Sequence, residues 1–470
     1  MPITSKSSGF GRMFPHLPLL PPVDSGEAGL IALGEAMIEE RIDPTTTGTL
    51  NTPKAGFTYL GQFIDHDLTL DLTPLDLARG SDLSRVVNFR NPQLDLEHVY
   101  GATPDIWAFL YRQAGLRSAP QLLVGQTAAN SINGQPLPAS ENDLPRSSDG
   151  IALVGDPRQD ENLIIAQLQV AFLKLHNAII NNADYLGASQ HYQNAGSVFD
   201  AARRVLTWHY QWIVRHDYLR QILDGQVFND LDRVEQTIKV VGADFQIPVE
   251  FSLGAFRFGH SMVRQEYFYN DHHSEAQLLE DLLTRTGGGG GAVPALPADW
   301  VIDWKRFFFV GAGSGTAQHS SAFDTQLAKG LHTLPTGPRG SAHLPVRTLQ
   351  RGERVGLPSG QAVAISLGVP HLSSEQMLGG RHSAILAQYG YEKQTPLWYY
   401  ILREAEVLGN RERLGPAGSH IIARIILGAL LNDPRSYLSV DRSWVPTLPG
   451  PATPELYGMA ELLRIILPRI

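Results

Sequence analysis

The run Asn162–Ala183, NLIIAQLQVAFLKLHNAIINNA, is nearly continuous apolar sequence, anchored by Leu163, Val170, Leu173 and Ile180, and reads as a buried helix. Downstream, Asp200–Leu223 places Ala202, Val205, Leu206, Trp212, Ile213, Leu219 and Ile222 close to a 3.6-residue period, which predicts a second. Further helices are predicted at Glu27–Glu40, Ser274–Thr284, Thr395–Leu408, Ala417–Leu431 and Pro454–Leu467. Alternating strands are scarce, with Ile238–Phe245 the best short candidate. The expected fold class is mainly α: a single large helical domain with long loops. Residues 57–470 form that domain, and residues 1–56 are an N-terminal arm and first helix packing on it.

Composition narrows the function. Across 470 residues, 43% apolar and 18% charged content exclude disorder. A net charge of -9 argues against nucleic acid or anionic membranes as partners. Cysteine is absent, which removes disulfides, thiolate nucleophiles, zinc fingers, iron–sulfur clusters and thiolate-ligated haem. Leu17–Leu20 is too short and proline-broken for a signal core. Ile421–Leu431 carries Arg424 and falls short of the ~18 apolar residues of a membrane span. A soluble, by default cytoplasmic, protein is expected. Loops are predicted at Asp43–Thr52, Gly125–Gly150, Thr286–Asp299, Thr333–Gly340 and Val445–Pro454. The Gly287–Gly291 run lacks the Lys and Ser/Thr of a phosphate loop and reads as a flexible connection.

Three polar patches lie among these apolar segments. In Gln62-Phe-Ile-Asp65-His66-Asp67, helical spacing puts Gln62, Asp65 and His66 on one face, amid Phe57, Tyr59, Leu60, Phe63 and Ile64. Three buried polar groups are costly unless they serve a ligand or pair with one another. Read alone, a hydrogen-bonded core histidine accounts for this patch better than a site does. Gly155-Asp-Pro-Arg158-Gln-Asp-Glu161-Asn162 sits at the start of the long helix, where an anionic group is favoured. Alone it is better read as an ordinary helix start. In Phe256-Arg257-Phe-Gly259-His260-Ser-Met-Val263, a histidine beside Gly259 has room to approach a flat cofactor. A buried neutral histidine fits that patch equally well. His176 and His216 read as structural.

Taken together these patches resemble the animal-type haem peroxidases, the peroxidase–cyclooxygenase superfamily, from about Phe57 to about Leu438. GQFIDHD is similar to the distal-histidine motif, GDPRQDEN to the distal-arginine motif and FRFGHSMV to the proximal-histidine motif. LPVRTLQRGERVGLP, residues 344–358, is similar to a later proximal-side motif. Four motifs in the family's order reverse the reading of each histidine alone. The resemblance implies haem b buried between central helices, with His260 as axial ligand of the iron. It implies His66 as the base, then acid, for hydrogen peroxide, Arg158 as the cation beside the breaking O–O bond, and Gln62 as holder of water or a halide. The resulting ferryl haem would be restored by small aromatic donors or a halide. Asp65 and Glu161 match carboxylates that many members join to the haem by ester bonds. Asn162 stands where one member places a methionine link, so that link is not expected. Arg257 and Arg351 match basic contacts to the haem on the proximal side.

Two positions depart from the family pattern. An asparagine often accepts a hydrogen bond from the proximal histidine, and Thr348 stands in its place, offering a shorter hydroxyl. Members also hold a calcium ion beside the distal histidine. The matching oxygens here are Asp67, Asp95, Glu97, Asn91 and Gln93, in a loop altered at three of four ligand positions, so a calcium ion and a metal-free loop are both open. The alternative function is a haem fatty-acid dioxygenase of the same fold, with Trp398-Tyr399-Tyr400 as a conceivable radical site but more simply helix core. A non-haem metal hydrolase using Asp65, His66 and Asp67 is a weaker reading, because adjacent residues rarely converge on one ion.

Overall fold

Leu163–Ile180 is helical from end to end in the computed structural model, which describes residues 8–20, 27–39, 51–71, 83, 86–112, 120–288, 290–310, 317–334 and 342–467. Asn162 starts this helix, its side-chain oxygen accepting from the Ile165 N–H at 3.0 Å. The helices used below are α1 (Ala28–Ala36), α2 (Gly56–Leu68), α3 (Leu163–Ile180), α4 (Val198–Ile213), α5 (Leu344–Arg354), α6 (Leu397–Leu408) and α7 (Pro416–Asn432). Strands among the described residues are confined to four short antiparallel pairs, so the fold is mainly α as expected. By length and composition α3 is apolar enough to cross a membrane, yet 83% of it is buried inside the fold.

Aromatic side chains lock α2, α3 and α4 together. Phe63 meets Phe172 with ring centroids 4.5 Å apart, and both meet the Tyr210 ring edge-on. The predicted Asp200–Leu223 helix is interrupted once. Residues Val214–Tyr218 form a π-helical turn before the chain resumes as Leu219–Ile222. Such turns insert one residue and re-aim side chains. Here Tyr218 reaches α2, where a Cβ added at Gly61 would lie 2.5 Å from its hydroxyl. A second π-helical turn, Glu250–Gly254, leads into the tight 3-10 turn Ala255–His260. Stacking of Phe251 on Phe256 at 4.6 Å and of Phe258 on Phe323 at 5.5 Å holds that turn.

The N-terminal arm is tied to this centre. Ser8–Gly9 pairs with Val87–Asn88, Met13 and Phe14 N–H groups donate to the buried Glu250 carboxylate, and Arg12 caps the carbonyls of Val355 and Gly356.

Several predicted segments differ in detail. Ile238–Phe245 is not a strand. Asn432 accepts from the Val241 and Gly242 N–H groups, Gly242 takes φ +59, and a 3-10 turn Gly242–Asp244 follows. Ser274–Thr284 begins as the strand Gln277–Leu278, because Glu266–Tyr267 offers a pairing partner, and only Leu279–Leu283 is helical. The last predicted helix breaks at Gly458 into Pro454–Leu456 and Met459–Arg464. The glycine-rich run 287–291 closes on itself through Gly291 N–H to Gly287 C=O, and Gly287 N–H is anchored to Asp160. Residue 40 of the first predicted helix, residue 289 of the glycine run, and most of the loops at 43–52 and 333–340 lie outside the described residues.

His209 shows how this core depends on neutral imidazoles. Its Nδ1 donates to the Val205 carbonyl, and its Nε2 accepts from the Thr447 and Leu448 N–H groups. Burial lowers its pKa to about 4. A ring whose folded pKa lies below its unfolded value stabilises the fold fully above pH 6.5, and that stability is lost as pH falls towards 4. The wild-type protein is expected to lose about 3 kcal/mol from this ring over that interval. His209→Leu, less stable at pH 7.5, should show a correspondingly shallower decline, read by urea unfolding at pH 7.5 and 4.5. Parallel declines in the two proteins would refute the assignment.

Candidate active site

The polar face predicted on α2 exists, and the residues that meet it come from two distant turns. His66 is 3% exposed. Its Nε2 lies 3.8 Å from Glu161 Oε2, while its Nδ1 is buried with no hydrogen-bond partner among the described residues. Gln62 donates from Nε2 to Glu161 Oε2 at 3.3 Å and accepts at Oε1 from Asn162 Nδ2 at 3.2 Å. Burial, reinforced by the Arg158 charge, holds the His66 pKa well below the ordinary imidazole range, so the ring is a neutral base at pH 7.

Arg158 is set by the residue two before it. Asp156 caps the 3-10 turn Pro157–Asp160, accepting from Arg158 N–H at 2.9 Å, and Pro157 at the first position has no N–H to satisfy. The same fully buried carboxylate takes Arg158 Nη2 at 2.7 Å and Arg90 Nη2 at 2.7 Å. Burial opposes ionisation of Asp156, but Arg158 and its hydrogen bonds outweigh it and hold the carboxyl well below the usual range. Held this way, the guanidinium donates to the carbonyls of His66, at 3.2 Å, and of Thr69. Its Nη1 lies 3.8 Å from Asp65 Oδ2.

His260 ends the Ala255–His260 turn, its ring edge-on to Trp398 at 5.8 Å. Trp398 Nε1–H donates to the Arg257 carbonyl at 3.0 Å, fixing both neighbours. Burial, then Arg257 and Arg347, lower the His260 pKa to about 3. The expected bond to Thr348 is not made. The Thr348 hydroxyl donates to Leu344 C=O at 2.9 Å, one turn back on α5, and His260 Nδ1 has no partner among the described residues. A β-hydroxyl reaches its own helix's carbonyl more readily than a ring on another element. Arg257 donates from Nε to Ser252 C=O at 3.2 Å, and Arg351 pairs with Asp71.

The charges of both segments reach the same carboxyls: Asp65 lies within the field of both Arg158 and Arg257, and Glu161 within that of Arg158 and Arg347. Asp65 and Glu161 leave 34% and 45% of their side chains uncovered, so neither is sealed by packing. Burial pushes both carboxyls up against the pull of Arg158. Burial likewise disfavours the charge on Arg257, with Arg351 and Arg347 adding to it against the pull of Asp65. This donor set suits a haem: a neutral imidazole for the iron, crowded arginines for the propionates and two carboxyls left partly uncovered.

The oxygens named for a possible calcium ion are engaged by donors of the chain itself. Asp67 Oδ1 accepts from Glu97 N–H at 3.0 Å and from His98 Nδ1 at 2.9 Å, and Oδ2 accepts from Leu96 N–H at 3.1 Å. Asp95 and Gln93 both receive Arg435 Nη2, Glu97 lies 3.5 Å from Arg90, and the Asn91 carbonyl takes Gln93 N–H. A cation needs six to eight oxygens with lone pairs directed at one point, and here the lone pairs are directed at N–H groups. Asp65, His66 and Asp67 do not converge either. No group of three metal-binding side chains occurs among the described residues.

Sequence does not single out Asp156 or Arg90. A signal for Asp156 is present, since an aspartate directly before proline at a helix start marks a cap. Arg90 carries no comparable local mark, while His98 opens the family-like His98-Val-Tyr-Gly.

A family model described as animal haem peroxidase matches residues 78–427. No curated protein matches the chain. Among solved structures, peroxidase A from Dictyostelium discoideum superposes with TM-score 0.56 at 16% identity, covering 93% of this chain and 90% of that one. Fatty acid alpha-dioxygenase from Arabidopsis thaliana gives TM-score 0.60 at 14% identity, covering 93% and 74%. The Oryza sativa fatty acid alpha-dioxygenase gives 0.59 at 13%, covering 98% and 79%. At these identities the likeness is one of fold.

Asp156→Asn removes the buried carboxylate that Arg90 and Arg158 share and is expected to cost about 3 kcal/mol of unfolding free energy at pH 7. A carboxyl with a depressed folded pKa stabilises above its unfolded value, near pH 4, and that stability is lost as pH falls further. The stability curves of wild type and variant should therefore approach each other below about pH 4. Urea unfolding at pH 7 and pH 3 tests this, and equal stability at pH 7 would sink it.

Proposed function

Because the chain belongs to the animal haem peroxidase family, whose members bind haem, we propose that it reduces hydrogen peroxide and oxidises small aromatic donors or halides. The observation that carries this reading is the Arg158–His66 contact: a neutral, buried histidine whose own carbonyl is held by a fixed guanidinium. When bound, the haem supplies the iron that takes the peroxide and the oxidising equivalents passed to the donor. His66 Nε2, on the Glu161 side, has the lone pair to take a proton from peroxide and return it to the departing oxygen. Arg158 lies ready for the negative charge that develops there, and its orientation is set beforehand by Asp156. Gln62, bonded to Glu161 and Asn162, fixes the polar face of α2 beside His66. His260 would hold the iron, Arg257 and Arg351 would meet the propionates, and Asp65 and Glu161 would be the carboxyls joined to the haem by ester bonds.

His66→Ala keeps His260 and should keep the Soret band, while peroxide-dependent oxidation of an aromatic donor falls by about 10²–10⁴-fold. Arg158→Leu should lower it by about 10²-fold or more. Unchanged turnover in His66→Ala with haem bound would overturn the proposal.

A second reading, a fatty-acid dioxygenase, is favoured by one residue. Tyr218 is buried, its hydroxyl is against Gly61 of α2, its ring is edge-on to Phe256 at 6.3 Å, and its hydroxyl lies in the field of Asp65. Tyr399 and Tyr400 take the simpler of the two readings given to them from sequence. Tyr399 hydrogen-bonds His382 Nδ1 at 3.0 Å, and the Tyr400 hydroxyl accepts from Leu372 N–H at 3.0 Å, so both are helix core. Oxygen uptake with linoleate, lost in Tyr218→Phe while peroxidase turnover persists, would establish the dioxygenase. No uptake in wild type leaves the peroxidase.

A further inference from the structure

The loop Asn91–Tyr100 wraps the C-terminal end of α2, and Leu96 within it takes φ +58, ψ +34, a left-handed conformation that leucine seldom adopts. Strain of this kind persists only where the surroundings impose it. Here Leu96 and Glu97 turn their N–H groups onto the two oxygens of Asp67. His98, from the same turn, adds Nδ1 at 2.9 Å to an oxygen that already accepts from Glu97, so the imidazole is the donor. Both Asp67 and His98 are fully buried, and Phe63 covers the imidazole edge-on at 4.2 Å. On the outer side, Arg435 Nη2 bridges Gln93 Oε1 at 2.9 Å and Asp95 Oδ2 at 3.0 Å, while its own carbonyl accepts from Trp208 Nε1 at 2.9 Å. Arg90 closes the third side, between Glu97 and Asp156.

We infer that this chain closes the loop beside its distal histidine with its own donors, His98 within and Arg435 at the rim, in place of the calcium ion that the resemblance implies. The N–H groups occupy the directions in which a calcium ion would need lone pairs, and the guanidinium groups repel a second cation. The loop is therefore built without metal, and the position of Asp67, next in sequence to His66, is independent of calcium. Because the inference concerns hydrogen bonds of the polypeptide alone, it stands or falls separately from the peroxidase reading, and it is read on the protein without a substrate assay.

The test uses the full chain purified in calcium-containing buffer. Metal content is measured by mass spectrometry, and thermal unfolding is followed in excess EGTA and in excess calcium chloride. The expected result is far less than one calcium per chain and the same Tm in both buffers. His98→Leu and Arg435→Met should lower Tm by several degrees and a few degrees respectively, with no recovery in calcium. His98→Asn, whose side-chain N–H falls near the place of Nδ1, should recover most of the first loss. Stoichiometric calcium, a Tm that drops in EGTA, or an unchanged Tm in both His98→Leu and Arg435→Met would each overturn the inference. Should His98→Leu fail to fold, the EGTA comparison on wild type and the Arg435→Met variant decide it.

Discussion

One buried carboxylate, Asp156, holds the distal half of the structure together. It lies at 0% exposure between Arg90 and Arg158 and accepts a hydrogen bond from each at 2.7 Å. Removing one member of such a group strands charge in a medium that cannot solvate it, a cost of about 3–5 kcal/mol. That cost constrains everything attached. Through Arg158 the carboxylate fixes the carbonyls of His66 and Thr69, hence the last turn of α2. Through Arg90 it reaches Glu97 and the loop that covers Asp67. Two segments nearly ninety residues apart in the chain are thereby held in register.

The proximal half is organised differently. Packing positions His260: Phe251 stacks on Phe256, Phe258 on Phe323, and Trp398 stands against the imidazole. His260 Nδ1 has no hydrogen-bond partner among the described residues, and the Thr348 hydroxyl donates within α5. An imidazole without such a partner is a weaker electron donor to a metal than one hydrogen-bonded to an anion or carbonyl. The distal side is thus rigid through charge and the proximal side through shape. That balance is a property of this chain's own residues.

Much of this was legible from local pattern. Three polar residues at helical spacing in an apolar run, Gln62, Asp65 and His66, do share a face and do meet Arg158 and Glu161. The helices α3, α6 and α7 lie close to where periodicity put them, since a buried helix is marked along its whole length. Misreadings came where a distant partner overrode local preference. Ile238–Phe245 alternates like a strand, but Asn432 captures two of its N–H groups. Thr348 sits at the right position for His260, but its own helix takes the hydroxyl. In the acidic loop, sequence shows the oxygens and hides the N–H groups that meet them.

Sequence by itself therefore determined the mainly helical class, the exclusion of cysteine chemistry, and the identity of the groups around the site, because periodicity, composition and motif order are properties of the chain read locally. Only the tertiary structure decided which of those groups are free to act. The direction of a lone pair or an N–H depends on what is folded against it, and for Asp67 and Tyr218 that neighbour comes from another part of the chain.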